Sequence, residues 1–376
     1  MIARIVIILI TLFFQKSYSQ VTFLIDTIPE NTPDDVSIYI SGDFEGWSGG
    51  QENYKLSQFE HNYSITIPCR QGLINFKFTQ GSWNTVETDS VGNNIENRAY
   101  NFNELKDTVS IKIANWTSTT TKKSTLSINV SVLSENFEIP QLNRNRRIWI
   151  YLPPNYNDSK RSYPVLYMHD AQNLFDEATS FAGEWRVDET LDQLYKEKGL
   201  ELIVIGIDND SSKRMDEYSP WKSSTYNGGG EGDAYLDFIV KTLKPYVDEN
   251  YRTLVDKQNT AIMGSSLGGI ISHYGALKYS ETFGLIGVFS PAFGFSDSSY
   301  DFASRHSNIE GMRMYFLAGD NESPTMVSNM NKMISLMKSN GFDQKNVISK
   351  VVPGGQHNEK LWRENFEEAI LWLFNE

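Results

Sequence analysis

The stretch Asn259-Thr260-Ala261-Ile262-Met263-Gly264-Ser265-Ser266-Leu267-Gly268-Gly269 runs from a short apolar segment through a glycine-flanked serine into a helix start. Its form, G-x-S-x-G, is that of a nucleophile elbow. Gly264 and Gly268 let the chain turn sharply from strand to helix, so that Ser266 stands on a strained turn with its hydroxyl clear of the sheet. The helix that follows aims backbone N–H groups at the same place, that of Leu267 first, where they can stabilise an oxyanion. So short a motif also arises by chance, and its context carries the weight. Strand-like residues precede it, and residues 270–278 have the spacing of a packed helix. The expected chemistry is serine-dependent ester or acyl transfer.

Working outward, a chain of 376 residues that is 40% hydrophobic and 13% aromatic has the length of two domains and enough apolar material for a sizeable core. A formal net charge of -13, with no basic run, argues against a nucleic-acid groove. The acidic residues are spread along the chain as an ordinary solvated surface. Met1-Ile2-Ala3-Arg4, the apolar run 5–14 and small residues near Ser19 read as a secretory signal peptide over 1–19, which implies export to the periplasm or medium. The apolar run is too short to remain as a membrane span. Cys69 is the only cysteine, so no disulfide forms within the chain, and its strand-like setting assigns it to packing. The five histidines are scattered without metal-ligand spacing, and neither a metal nor an organic cofactor is expected.

From residue 20 to 116 short alternating runs such as Val36-Ser37-Ile38-Tyr39-Ile40 and Ile74-Asn75-Phe76-Lys77-Phe78, punctuated by Gly, Asn and Asp, predict a small all-β sandwich. The polar stretch 117–125 is the candidate linker, and 117–143 forms linker and lead-in. Beyond it, apolar runs at 147–152, 165–168, 202–207, 261–263, 285–289 and 314–318 alternate with helical stretches at 187–198, 235–250, 326–339 and 362–374. Such alternation predicts a doubly wound, mainly parallel sheet over 144–376, and an α/β-hydrolase sheet fits the position of the elbow.

A serine nucleophile needs a base. His357, in the glycine-rich loop after a predicted strand and just before the last helix, follows Ser266 in the required chain order. His273 lies two turns down the elbow helix and is expected to be structural. The third member is a carboxylate that orients the imidazole, and after the strand 314–318 both Asp320 and Glu322 qualify. The second oxyanion donor is expected after the strand 164–168, where position points to Ala171. Trp185, Arg214, Glu217, Tyr218 and Trp221 are candidates for the substrate pocket, because they fall in loops.

Residues 144–376 resemble the esterase D type of esterases, whose fold is shared by feruloyl, acetylxylan and ferric-enterobactin esterases and by mycolyltransferases. The likeness rests on Val165-Leu166-Tyr167-Met168-His169-Asp170, Tyr251-Arg252-Thr253, Gly264-Ser265-Ser266-Leu267-Gly268-Gly269, Gly319-Asp320-Asn321-Glu322-Ser323 and Gly354-Gly355-Gln356-His357, in that order. The resemblance implies the acid at Glu322 and oxyanion donors at Leu267 and Ala171. The chain departs from the usual His-Gly of the oxyanion loop by having Asp170, which lacks glycine's freedom at positive φ. The first part resembles starch- or glycogen-binding modules through Ile40-Ser41-Gly42-Asp43-Phe44-Glu45-Gly46-Trp47 and Phe76-Lys77-Phe78-Thr79-Gln80-Gly81-Ser82-Trp83. That implies sugar stacking on Trp47 and Trp83, with packing at the domain junction as the alternative. The expectation is an exported serine esterase acting on a small-molecule or polysaccharide-linked ester, acylated carbohydrate first and a siderophore ester or acyl transfer second. A carbohydrate-binding protein on a hydrolase scaffold is the non-enzymatic alternative.

Overall fold

The computed structural model describes residues 20–374 apart from 31, 34, 60–61, 69–71, 103–107, 118–122, 181–182 and 307–309. The expected signal peptide, His61 and Cys69 lie outside the described residues.

The first part is all β: β1 (Gln20–Thr27), β2 (Tyr39–Gly42), β3 (Ser57–Phe59), β4 (Asn62–Pro68), β5 (Leu73–Thr79), β6 (Glu87–Thr88), β7 (Arg98–Asn101), β8 (Thr108–Lys112) and β9 (Asn115–Trp116). They form sheets ordered β3-β4-β1-β8, β2-β5-β7 and β6-β9. Alternate residues Val21, Phe23 and Ile25 of β1 point inward and meet Ile74, Phe76 and Phe78 in a core of their own. This is the period-2 pattern that the short runs predicted.

The second part is a single sheet of β10 (Val130–Ile139), β11 (Arg144–Tyr151), β12 (Val165–His169), β13 (Ile203–Ile207), β14 (Thr260–Ser265), β15 (Leu285–Phe289), β16 (Arg313–Gly319) and β17 (Val347–Val352). Their order is β10-β11-β13-β12-β14-β15-β16-β17, with β10 and β11 antiparallel and the rest parallel. The inner strands β12 to β15 are buried throughout because helices cover both faces, while β17 alternates at the edge. The helices are α1 (Val187–Lys198), α2 (Arg214–Glu217), α3 (Gly232–Phe238), α4 (Lys244–Asn250), α5 (Leu267–Lys278), α6 (Ser298–Ser304), α7 (Met326–Ser339) and α8 (Glu359–Phe374). Separate apolar clusters fill the two faces. An α/β-hydrolase sheet preceded by an all-β part is the observed architecture. Among the described residues no helix is long and apolar enough to cross a membrane.

Two local departures have physical causes. The helix expected over 235–250 is divided, with a π turn at Ile239–Leu243 between α3 and α4. Pro245 supplies no N–H and its ring would collide with the carbonyl of Lys241 in an unbroken α-helix, and the widened turn avoids both. Within the expected lead-in, residues 130–139 form β10. Its exposed and half-buried polar positions, Ser131, Ser134, Glu135, Asn136 and Glu138, hid a strand that packs only one side of a sheet edge.

Candidate active site

Ser266 joins β14 to α5 at φ 59° and ψ −120°, a region that side chains avoid. The serine itself takes the strained conformation, and neither Gly264 nor Gly268 has positive φ. That corrects the sequence-based account of the glycines. Gly264 is required by proximity, since a Cβ there would lie 2.8 Å from the His169 ring and 2.9 Å from the Gly268 backbone. The turn is held by the Ser266 N–H donating to the Phe289 carbonyl at 2.9 Å, and the Ala292 N–H donating to the Ser266 carbonyl at 3.2 Å. The N–H of Leu267, first in α5, has no acceptor within its own helix and faces the same end of the sheet.

The carboxylate that meets His357 is that of Glu322, whose Oε2 lies 2.6 Å from Nδ1. Its other oxygen, Oε1, accepts from the Ser290 hydroxyl at 2.7 Å and the Gly319 N–H at 2.5 Å. The Trp362 indole N–H in turn donates to the Ser290 hydroxyl at 2.8 Å. Glu322 is therefore a buried carboxylate held by three hydrogen bonds, with both oxygens engaged. Asp320, the alternative, instead accepts from the Gly354 N–H at 2.6 Å and fastens the histidine loop.

The loop after β12, where the resemblance leads one to expect glycine, holds an aspartate with a salt bridge. Asp170 sits in the left-handed region at φ 61° and ψ 45°. Its carboxylate accepts two bonds of 2.8 Å from the Arg214 guanidinium and one of 2.7 Å from Asn209. The Asp170 N–H donates to the Tyr218 hydroxyl at 3.3 Å. Burial pushes the Asp170 carboxyl up, but the charge and hydrogen bonds of Arg214 outweigh it and hold the group below its ordinary range. His169 bonds through Nδ1 to the Tyr235 hydroxyl at 2.8 Å, and burial pulls its pKa down to about 4, so the ring is neutral at working pH. Ala171, next to Asp170, is buried under Gly206, where a Cβ would approach it to 2.9 Å.

Ser266, Leu267 and His357 face two clefts that meet at the serine, of about 390 and 340 Å³. The larger is walled by Trp185, Arg214, Asn173 and Asn209 from the hydrolase part and by Trp47, Trp83, Lys77 and Asn97 from the sandwich. The smaller is mostly apolar, with Phe44, Ile74, Pro291, Phe295 and Met326. Trp185, itself stacked on Phe289 at 5.4 Å, and Arg214 both line this cleft.

Glu217, Tyr218 and Trp221 do not reach it. Glu217 is buried between Arg144 and Arg146, at 2.8 and 2.7 Å. Tyr218 supports Asp170, and Trp221 packs edge-on against Tyr274 at 5.1 Å. Glu217 closes the four-residue helix α2 and Tyr218 caps it, too short a run for periodicity to tell inward from cleft-facing side chains. The two sandwich tryptophans are half-buried against the site. Trp47 lies parallel to the His357 ring at 6.2 Å, and the Trp83 indole N–H donates to the Trp47 carbonyl at 2.9 Å. Sequence reasoning missed Asn75, Asn97 and Met215, which carry no motif.

The family profile described as Putative esterase matches residues 139–373. The chain belongs to that family. The esterase is 28% identical over 243 residues to the uncharacterized protein YbbA of Bacillus subtilis (strain 168), covering 61% of this chain and 93% of that one. Its fold is similar to that of a ferulic acid esterase, with TM-score 0.52 and 16% identity over 65% of this chain and 97% of the other. It is also similar to the enterochelin esterase of Shigella flexneri, with TM-score 0.56 and 14% identity, covering 95% of this chain and 92% of that one. The second likeness extends through the all-β part. The protein is an ester hydrolase on an α/β-hydrolase scaffold.

Proposed function

We propose that this esterase is a serine enzyme working through an acyl-enzyme, with Ser266 as nucleophile, His357 as general base and Glu322 as the acid that orients the imidazole. The contact of 2.6 Å between Glu322 and His357, at a cleft shared with an elbow serine, carries the proposal. His357 takes the Ser266 proton as the oxygen attacks the ester carbonyl, and the Glu322 carboxylate stabilises the imidazolium. Leu267 and Ala171 N–H groups hold the oxyanion. The imidazolium then protonates the departing alcohol, and a water activated by the same ring releases the acid.

For substrate we infer an acylated carbohydrate. One cleft is rich in aromatic faces and amides suited to a hydroxylated alcohol, and the other is apolar and suited to an acyl chain. Residues 1–19 support export. Hydrolysis of p-nitrophenyl acetate is expected to fall by roughly three to six orders of magnitude in Ser266→Ala. Equal rates in the two proteins would sink the serine mechanism. A screen over acetyl-sugar, feruloyl and siderophore esters, with Ser266→Ala as blank, tests the substrate class.

A further inference from the structure

The loops that carry Glu322 and His357 hang from the ends of β16 and β17, at the edge of the sheet, where packing support is least. They are sewn to each other by the Asn321 N–H donating to the Gly355 carbonyl at 3.0 Å and by Asp320 on Gly354. A second set of bonds comes from the sandwich. The Asn75 side-chain amide donates to the main-chain carbonyl of Glu322 at 2.5 Å, and that of Asn97 donates to the main-chain carbonyl of His357 at 3.1 Å. Each of these two residues thus has its own carbonyl capped by an asparagine of the other body.

The Asn75 assignment follows from chemistry. Its NH2 group lies between the Glu322 carbonyl and Asp43 Oδ2, the latter at 3.4 Å, and only a donor fits between two acceptors. Its backbone N–H also donates to Asp43, at 2.9 Å, which fixes the amide in place. The Asn75 side-chain oxygen Oδ1 is buried, and its main-chain carbonyl accepts from the Asp43 N–H at 3.1 Å. Around these bonds the same loops touch the sandwich again, where the Asn358 side-chain amide donates to Glu96 at 2.9 Å and Trp47 covers the His357 ring.

We propose that Asn75 and Asn97 are positioning residues, through which the sandwich holds the acid and the base of the site in register. The inference rests on the triad assigned above. The test is Asn75→Ala/Asn97→Ala in the full chain. With p-nitrophenyl acetate, kcat is expected to fall roughly tenfold or more while KM stays within about threefold, because misplacing a base by a fraction of an ångström costs rate before it costs binding of a small ester. In parallel, the downfield proton resonance of the His357–Glu322 hydrogen bond is expected to broaden or move. A kcat within about twofold of wild type together with an unmoved resonance overturns the proposal. Asn97→Asp, which keeps size and replaces the donor by an acceptor facing the His357 carbonyl, gives the same readouts from a single substitution if the double variant does not fold. The resonance reports the clamp whether or not Ser266→Ala abolishes turnover, so failure of the serine mechanism and failure of the clamp are told apart.

Discussion

At the scale of single residues, Asp170 shows how a position that calls for glycine tolerates a side chain. The strain of a left-handed aspartate is of order 1–3 kcal/mol, and the two-bonded Arg214 contact with the Asn209 bond offsets it. Removing the guanidinium leaves a mostly buried carboxylate unpaired. Arg214→Ala is therefore expected to destabilise the fold by about 2–4 kcal/mol in denaturant titration and to slow ester hydrolysis. Asp170→Gly/Arg214→Ala should recover most of the stability and kcat, since glycine takes the left-handed turn without help. Failure of the double variant to recover would assign Arg214 to substrate rather than to the loop. The Asp170 carboxyl is held below its free value, so its contribution to stability is present above a pH of about 4 and is lost as pH falls through the lowered pKa. Acid titration of wild type against Asp170→Gly checks that sign.

At the scale of elements, the elbow between β14 and α5 depends on backbone approach. In Gly264→Ala the new methyl would meet the His169 ring and the Gly268 backbone within 3 Å. Neither is the free end of a flexible side chain. A loss of about 1–3 kcal/mol in stability is expected, with a fall in kcat as Ser266 is displaced. Thermal melting and p-nitrophenyl acetate kinetics measure both. The elements themselves were legible because apolar runs and helical periodicity survive wherever a strand is covered on both faces, as in β12 to β15. Legibility failed where coverage is one-sided or geometry is local, at β10 and at the π turn before Pro245. For the site, Ser266 and His357 could be read from chain order and loop context. Glu322 over Asp320 needed a resemblance, since both are carboxylates within reach of a loop end. The inward turn of Glu217, Tyr218 and Trp221 is set by Arg144, Arg146 and Tyr274, which lie far away in sequence.

At the scale of the whole molecule, the segment between the two cores is fastened to the loop that leads into α1 and to its first turn. The Ser124 hydroxyl donates to Asp176 at 2.9 Å, the Thr125 hydroxyl to Glu184 at 3.0 Å and the Ser127 N–H to Asp188 at 2.8 Å. These carboxylates crowd one another. Burial, with Glu189 alongside, pushes Glu184 up to about 7 and Asp188 up to about 8. For a carboxyl raised on folding, the native state holds the proton longer than the unfolded chain does. Stability from this region is therefore greatest in acid and declines as pH rises from about 4 through 8. Asp188→Asn is expected to raise Tm by roughly 2–5 °C at pH 8 and to change it little at pH 5, read by scanning calorimetry. A uniform shift at both pH values would contradict the raised pKa.

Trp47 and Trp83 come from the all-β part and Ser266 from the turn between β14 and α5, yet they wall the same cleft. The proposed reaction and the proposed choice of substrate thus draw on side chains of two different parts of the chain. Indoles, amides or Lys77 on the sandwich face can be exchanged without touching the strained turn at Ser266. In a lineage of such enzymes, substrate preference is free to drift faster than mechanism.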